Sequence, residues 1–87
     1  MEINFTEEAQ TDFLSLDKQL QLFFKNHIDK LQKMPPRRHL QKGIPYFMED
    51  ITKQARLVYT VDENAFFVFR CFATQKEYEK WYKSYRS

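Results

Sequence analysis

The sequence has few of the features that stabilise a small chain by means other than a hydrophobic core. Among its 87 residues there is one cysteine, so no intramolecular disulfide can form. Histidine and cysteine do not cluster with the spacing of zinc ligands. The single glycine, Gly43, excludes a glycine-rich phosphate-binding loop. We therefore expect one domain over residues 1–87 that depends on its core and holds no metal or small-molecule cofactor.

Long hydrophobic runs are also absent. Uncharged apolar runs such as residues 65–69 are far shorter than the roughly 20 residues that span a bilayer. The N-terminal sequence MEINFTEEAQ is acidic and lacks the basic and apolar regions of a signal peptide. A lone thiol without an export signal is typical of the cytosol. We expect a cytoplasmic protein that makes no contact with a membrane.

The net charge of +2 conceals a basic segment. Residues 30–48 hold five basic residues and no acid, whereas residues 1–29 hold six acids against two lysines. The basic residues flank Pro35 and Pro36, through which no helix continues, so they belong to a loop or its edge. Such a loop, with His39 inside it, could bind phosphate, or it could be a solvated connection that happens to lack acids.

Hydropathy patterning predicts the order β-α-α-β-β-β-α. Apolar residues at three- and four-residue steps over 6–34 predict two helices in a hairpin, or one long helix broken near residues 15–17. Thr74 and Glu77 have the spacing of a capping box, which predicts a final helix. The predicted strands are residues 1–5, 46–51, 55–61 and 65–73.

Short connections between the last three strands predict an antiparallel meander. We expect turns at Lys42-Gly43 and at residues 62–64. The fold class is therefore α+β, with a small, mostly antiparallel sheet. We expect the helical hairpin and the C-terminal helix to cover one face of this sheet.

Arg56 lies within an otherwise apolar strand, where an unpaired charge would be costly to bury. It therefore needs a partner. That partner is either an acid such as Glu49 or Asp50, in a structural ion pair, or a phosphate.

Among the other residues with charged or reactive side chains, Cys71 and His27 are interpreted as structural. Strict alternation places Arg70 on the face of Phe66, Val68 and Phe72. Cys71 lies in the same buried strand without a neighbouring base, so we do not expect a catalytic thiol. His27 lies on the apolar stripe of a helix, which favours a packed histidine over a ligand.

Four large aromatic residues, Tyr78, Trp81, Tyr82 and Tyr85, follow one another at helical steps near the C-terminus. Such a series usually belongs to the core. All four cannot face inward, however, so we expect one or two hydroxyl groups to reach solvent or a site.

The segment RLVYTVDE (residues 56–63) resembles the strand and turn of the RelE/ParE superfamily of type II toxin–antitoxin toxins, nearest to its RelE and YoeB branches. The segment His39-Leu40, with Gly43 and Phe47, and the terminal CFATQKEYEKWY also match this pattern, as does the order of elements. The resemblance implies a RelE-like domain spanning the whole chain.

The resemblance implies a ribosome-dependent mRNA endoribonuclease that inhibits translation. In that reaction the 2′-hydroxyl attacks the adjacent phosphate and expels a 5′-oxygen, which requires a base, positive charge and a proton donor. By position in the family pattern, Arg56 would hold the transition-state charge and Lys76 would assist it. Tyr82 or Tyr78 would stack on the mRNA base or donate a hydrogen bond. A family lysine falls near Glu49, where a carboxylate would act as the base or pair with Arg56.

The resemblance also assigns partners and RNA contacts. It implies a cognate antitoxin, the ribosome and mRNA as partners. The predicted RNA-binding residues are Lys33, Arg37, Arg38, His39, Lys42, Lys53 and Arg70.

One departure from the family pattern keeps two alternatives open. The C-terminal His-Tyr pair of YoeB-like toxins is absent, and Gln75, which stands there, cannot act as an acid or base. The chain could instead be a ParE-like toxin that binds DNA gyrase, or a catalytically attenuated member that only binds an antitoxin.

Overall fold

The computed structural model describes residues 2–33, 46–61 and 65–86, excluding the side chains of residues 85 and 86. Its elements follow the predicted order. They are β1 (Glu2–Phe5), α1 (Glu7–Ser15), α2 (Lys18–Gln32), β2 (Phe47–Asp50), β3 (Arg56–Val61), β4 (Ala65–Phe72) and α3 (Gln75–Arg86). The α+β class and the predicted β-α-α-β-β-β-α order are confirmed. Within the described ranges, no helix combines the length and the apolarity needed to cross a membrane.

Of the two predicted arrangements of residues 6–34, the structure has two separate helices, and each has its own N-cap. The Thr6 hydroxyl accepts a hydrogen bond from the Ala9 N–H at 3.0 Å, and the Asp17 carboxylate accepts one from the Leu20 N–H at 2.8 Å. These caps satisfy backbone donors that the first turn leaves unpaired, so a break at residues 16–17 costs little. The helix α2 ends at Gln32, shortly before the two prolines.

The four strands form one sheet in the order β1-β4-β3-β2. β2, β3 and β4 are successive antiparallel neighbours, which confirms the predicted meander, and β1 pairs with β4 in parallel. The sheet is therefore mixed, with β1 and β2 at its edges. The turns predicted at Lys42-Gly43 and at residues 62–64 lie outside the described residues.

A β-bulge in β4 changes which side chains share a face. Val58 pairs with Arg70 while Tyr59 pairs with Val68, so Phe69 is an extra residue without an opposite partner. An extra residue reverses the alternation beyond it. The prediction that Arg70 shares a face with Phe66 and Val68 is therefore wrong, whereas its placement with Phe72 is confirmed.

The helical hairpin packs on one face of the sheet and forms the hydrophobic core there. Phe24 of α2 and Phe66 of β4 are completely buried, and burying a ring of this size contributes about 1.5–3 kcal/mol. The buried residues of this core are Ala9, Leu16, Phe24, Ile28, Phe47, Ile51, Ala55, Leu57, Tyr59, Phe66, Val68 and Cys71.

The helix α3 packs on the opposite face. Its Tyr78 and Trp81 rings lie 6.0 and 5.7 Å from the ring of Phe72, centroid to centroid. Phe72 pairs with Arg56, whereas its neighbour Cys71 pairs with Leu57 on the core face. The expectation that all three helices cover one face is therefore wrong, since alternation turns Phe72 away from the core.

An ion pair between Asp12 of α1 and Arg70 of β4 fixes the helix to the sheet. Arg70 donates from Nε at 2.6 Å and from Nη2 at 3.1 Å, and the Cys71 N–H donates to the same carboxylate at 3.0 Å. The hydrogen bonds that Arg70 donates to Asp12 raise the pKa of Arg70 above its ordinary value. β1 ends at Phe5, opposite Val68, and so provides no acceptor for the Cys71 N–H. Asp12 provides that acceptor instead.

We expect Asp12→Ala to lower the free energy of unfolding by about 2–3 kcal/mol, because hydrogen bonds to charged groups contribute roughly 1.5–3 kcal/mol and Arg70 would be left half-buried. Urea denaturation followed by circular dichroism measures this change. Asp29→Ala, at an exposed position of α2, is the control and should stay within about 0.5 kcal/mol of the wild type. Equal stability of the two variants would contradict a structural role for the ion pair.

Candidate active site

The connection between β2 and β3 positions Arg56 at the first residue of β3. The Thr52 hydroxyl accepts hydrogen bonds from the backbone N–H groups of Gln54 and Ala55, at 3.1 and 2.9 Å. The Ile51 N–H donates to the Ala55 carbonyl at 2.9 Å. This tight bend brings the end of β2 beside the start of β3, on the face that α3 covers.

The guanidinium group of Arg56 is buried and bonded at all three nitrogens. Its Nε lies 3.0 Å from Oδ1 of Asp50, and its Nη1 donates to the carbonyls of Thr52 and Ala55, each at 3.0 Å. Its Nη2 donates to the side-chain oxygen of Gln75 at 3.4 Å. Only 8% of the residue is exposed, so these contacts replace the water that the charge has lost.

Glu49 lies on the other face of the sheet from Arg56. It pairs with Leu57 in the register of β2 and β3, whereas Asp50 pairs with Arg56. Its carboxylate lies 3.6 Å from Nδ1 of His27, which is half-buried beside the core. Of the two acids predicted as partners of Arg56, Asp50 is confirmed and Glu49 is wrong.

The start of α3 meets this site. As the capping spacing predicts, the Glu77 N–H donates to the Thr74 hydroxyl, which donates to the Glu77 carboxylate, both at 3.2 Å. The backbone N–H of Gln75 donates to the side chain of Gln54 at 3.4 Å. Gln75 thus links α3 to the bend between β2 and β3 through both its backbone and its side chain.

Two phenol rings extend the site along α3. Tyr78 and Tyr82 lie one helical turn apart, with ring centroids separated by 6.0 Å. Burial raises the pKa of Tyr78, the neighbouring Tyr82 adds to this increase, and Arg56 opposes it. Asp50 raises the same pKa further. Tyr78 therefore lies within the electrostatic reach of the ion pair and keeps its proton at neutral pH.

The predicted lysines of the described residues are all exposed. Lys76 is exposed and lies about 100° around α3 from Gln75. Lys53 is exposed in the bend before β3, and Lys33 is exposed at the end of α2.

The other predicted RNA-binding residues divide into two groups. Arg70 is bonded to Asp12, and its guanidinium carbon lies 4.8 Å from the centroid of the Phe72 ring. The four remaining residues lie outside the described part of the chain; they are Arg37, Arg38, His39 and Lys42.

Asp50 and Gln75 are the site residues that sequence reasoning did not assign to the reaction. Strand alternation carries a signal for Asp50, since it falls on the opposite face from Glu49 and Phe47. The contact of Gln75 with Arg56 joins residues 19 positions apart and depends on how α3 packs. No pattern along the chain indicates it.

The assembled group has the charge and the hydrogen-bond donors to bind an anion. The two carbonyls hold the guanidinium group in place, so a phosphate that replaces Asp50 or Gln75 would meet a cation that is already oriented. The protonated phenol of Tyr78 adds a hydrogen-bond donor beside it. A buried arginine together with a phenol is suited to charge that develops on a phosphate.

The comparisons with known proteins identify the fold. No known family model and no curated protein matches the sequence. The chain is similar in structure to YoeB from Staphylococcus aureus, seen as a dimer, with a TM-score of 0.74, 22% identity and coverage of 83% of this chain and 94% of that one. It is also similar to the isolated E. coli RelE toxin, with a TM-score of 0.72, 18% identity and coverage of 95% and 96%.

A third similar structure is a toxin–antitoxin complex. It is the heterotetrameric YoeB-YefM complex from Staphylococcus aureus, which matches with a TM-score of 0.70, 22% identity and coverage of 83% of this chain and 94% of that one. These identities are low, so the similarity shows the fold. The RelE-like fold implied by the sequence resemblance is confirmed.

Cys71 lies next to the Arg70–Asp12 pair, and burial raises the pKa of its thiol to about 12. Because the thiolate is the reactive form, we expect iodoacetamide to leave the native protein unmodified at mildly alkaline pH and to modify it after denaturation in guanidinium chloride. Mass spectrometry of the two samples measures the difference. Equally fast alkylation of both samples would show that the thiol is accessible and ionised in the folded state.

Proposed function

We propose that this protein is the toxin of a type II toxin–antitoxin system and acts as a ribosome-dependent mRNA endoribonuclease that inhibits translation. The observation that carries the proposal is a buried, pre-oriented Arg56 beside the phenol of Tyr78. It occurs on the fold of the RelE and YoeB toxins, in the strand whose sequence resembles theirs.

In the proposed reaction the 2′-oxygen of the message forms a bond to the adjacent phosphorus, and the bond to the 5′-oxygen breaks. Arg56 stabilises the negative charge that grows on the phosphate oxygens, without having to reorganise at the moment of reaction. Tyr78 donates a hydrogen bond to this group. Tyr82, one turn further along α3, stacks on a base of the message.

Exposed lysines contribute to RNA binding in this proposal. Lys76 and Lys53 border the site from α3 and from the bend before β3, where they can pair with neighbouring phosphates. Lys33 and the basic residues that follow it extend the positive charge. Arg70 has a structural partner in Asp12, so the proposal relies on the lysines more than on it.

The proposed protein partner is a cognate antitoxin. Two of the similar structures are complexes of YoeB with YefM, and another is the intact E. coli RelBE toxin–antitoxin complex. This chain has the same fold as the toxins in those complexes. An antitoxin would therefore meet a surface of similar overall shape.

Replacing Arg56 tests the proposal. Induced wild-type protein should arrest growth and produce new message ends on ribosomes, detected by primer extension. Arg56→Ala should abolish both, because it removes the cation that stabilises the phosphate charge in this proposal. The same replacement leaves two carbonyls and Asp50 without their donor, at a cost of about 1–3 kcal/mol in stability. A control for stability is therefore required.

Ile28→Ala supplies that control. Ile28 is 3% exposed in the core on the face opposite to Arg56, and its truncation should cost roughly 2–4 kcal/mol. This variant should still cleave messages in the fraction that remains folded. Induction of a DNA-damage response without new message ends would favour a gyrase-binding toxin, and no growth effect of the folded protein would favour an attenuated antitoxin-binding member.

A further inference from the structure

Two neighbouring carboxylates of β2 point to opposite faces of the sheet. Glu49 lies on the face of the helical hairpin, beside His27, and Asp50 lies on the face of Arg56 and α3. A base for the proposed reaction must reach a 2′-hydroxyl next to the phosphate that Arg56 binds. The face of the sheet alone therefore separates the two candidates.

The environment of Asp50 suits a group that touches the substrate. Its side chain is 66% exposed, although Oδ1 lies 3.0 Å from the buried Nε of Arg56. It also lies within the electrostatic reach of Tyr78. A base must be accessible to the substrate and close to the cation, and Asp50 meets both conditions.

We infer that Asp50 is the general base of this protein, an assignment that depends on the function proposed above. Asp50 takes the proton of the 2′-hydroxyl as the 2′-oxygen bonds to phosphorus and the bond from phosphorus to the 5′-oxygen breaks. Water protonates the departing 5′-oxygen, and the hydroxide left behind takes the proton back from Asp50. The products are a 2′,3′-cyclic phosphate and a 5′-hydroxyl.

The pairing with Arg56 gives the base a second property. As a phosphate approaches Arg56, it competes for the Nε that holds Oδ1 of Asp50. The carboxylate released in this way stays beside the phosphate, where the 2′-hydroxyl of the preceding nucleotide must lie. Substrate binding and activation of the base are thereby coupled through one nitrogen atom.

The test compares Asp50→Asn with Glu49→Gln on ribosomes carrying a defined message, in single-turnover cleavage assays. Each variant removes one carboxylate from β2, but on opposite faces. The amide introduced by Asp50→Asn keeps an oxygen that accepts from Arg56 but cannot take a proton. We expect Asp50→Asn to slow cleavage by about 10²-fold or more, and Glu49→Gln to have a much smaller effect. Asp50→Glu, which keeps a carboxylate, should recover part of the rate.

A message with sulfur in place of the scissile 5′-oxygen distinguishes a base from an acid. A departing thiolate needs no proton, so loss of an acid would be corrected by the sulfur, whereas loss of the base would not. We expect Asp50→Asn to remain slow on this message. Thermal melting by circular dichroism shows that the variant is folded at the assay temperature.

Several outcomes would overturn the inference. Asp50→Asn that is as active as the wild type would show that Asp50 only positions Arg56, and a more active variant would show that Asp50 masks it. A larger defect in Glu49→Gln, or full correction of Asp50→Asn by sulfur, would also exclude Asp50 as the base. If the wild-type protein leaves the message intact, the proposed function is wrong and the inference fails with it. In all the other outcomes the wild type cleaves the message, and only the assignment of Asp50 fails.

Discussion

The burial of the positive charge of Arg56 at the start of β3 organises the face of the sheet that α3 covers. Arg56 draws a carboxylate from the end of β2, two carbonyls from the bend and an amide oxygen from α3. Each of these contacts offsets part of the cost of removing the guanidinium group from water. The result is a cation that is rigid before any ligand arrives, placed where a strand, a bend and a helix meet.

Local signals in the sequence predicted the elements and their order. The caps at Thr6, Asp17 and Thr74 bond to backbone N–H groups only three residues further along the chain, so the sequence pattern reveals them. The alternation of apolar and polar residues in β3 is equally local. Which side chains of β4 share a face of the sheet depends on the β-bulge in that strand. The bulge at Phe69 reverses the order in which the side chains of β4 alternate between the two faces. The mixture of aromatic and aliphatic residues in β4 gives no sign of this reversal.

The candidate site shows the same division between local and distant information. Arg56 and the phenols of α3 are candidates from the sequence because the family resemblance lies in their own segments. The choice between Glu49 and Asp50 required the register of β2 against β3, which fixes the face of each residue. The role of Gln75 required the position of α3, and that position follows from aromatic packing around Phe72.

The parallel pairing of β1 with β4 also determines when the sheet can be completed. The Thr6 hydroxyl donates to the Phe69 carbonyl, 63 residues further along the chain, and β1 has no other strand beside it among the described residues. During synthesis the N-terminal strand must therefore wait until β4 has left the exit tunnel. A nascent chain with this topology cannot close its sheet, or seat α3 beside Arg56, while the ribosome is still reading the codons of those later segments.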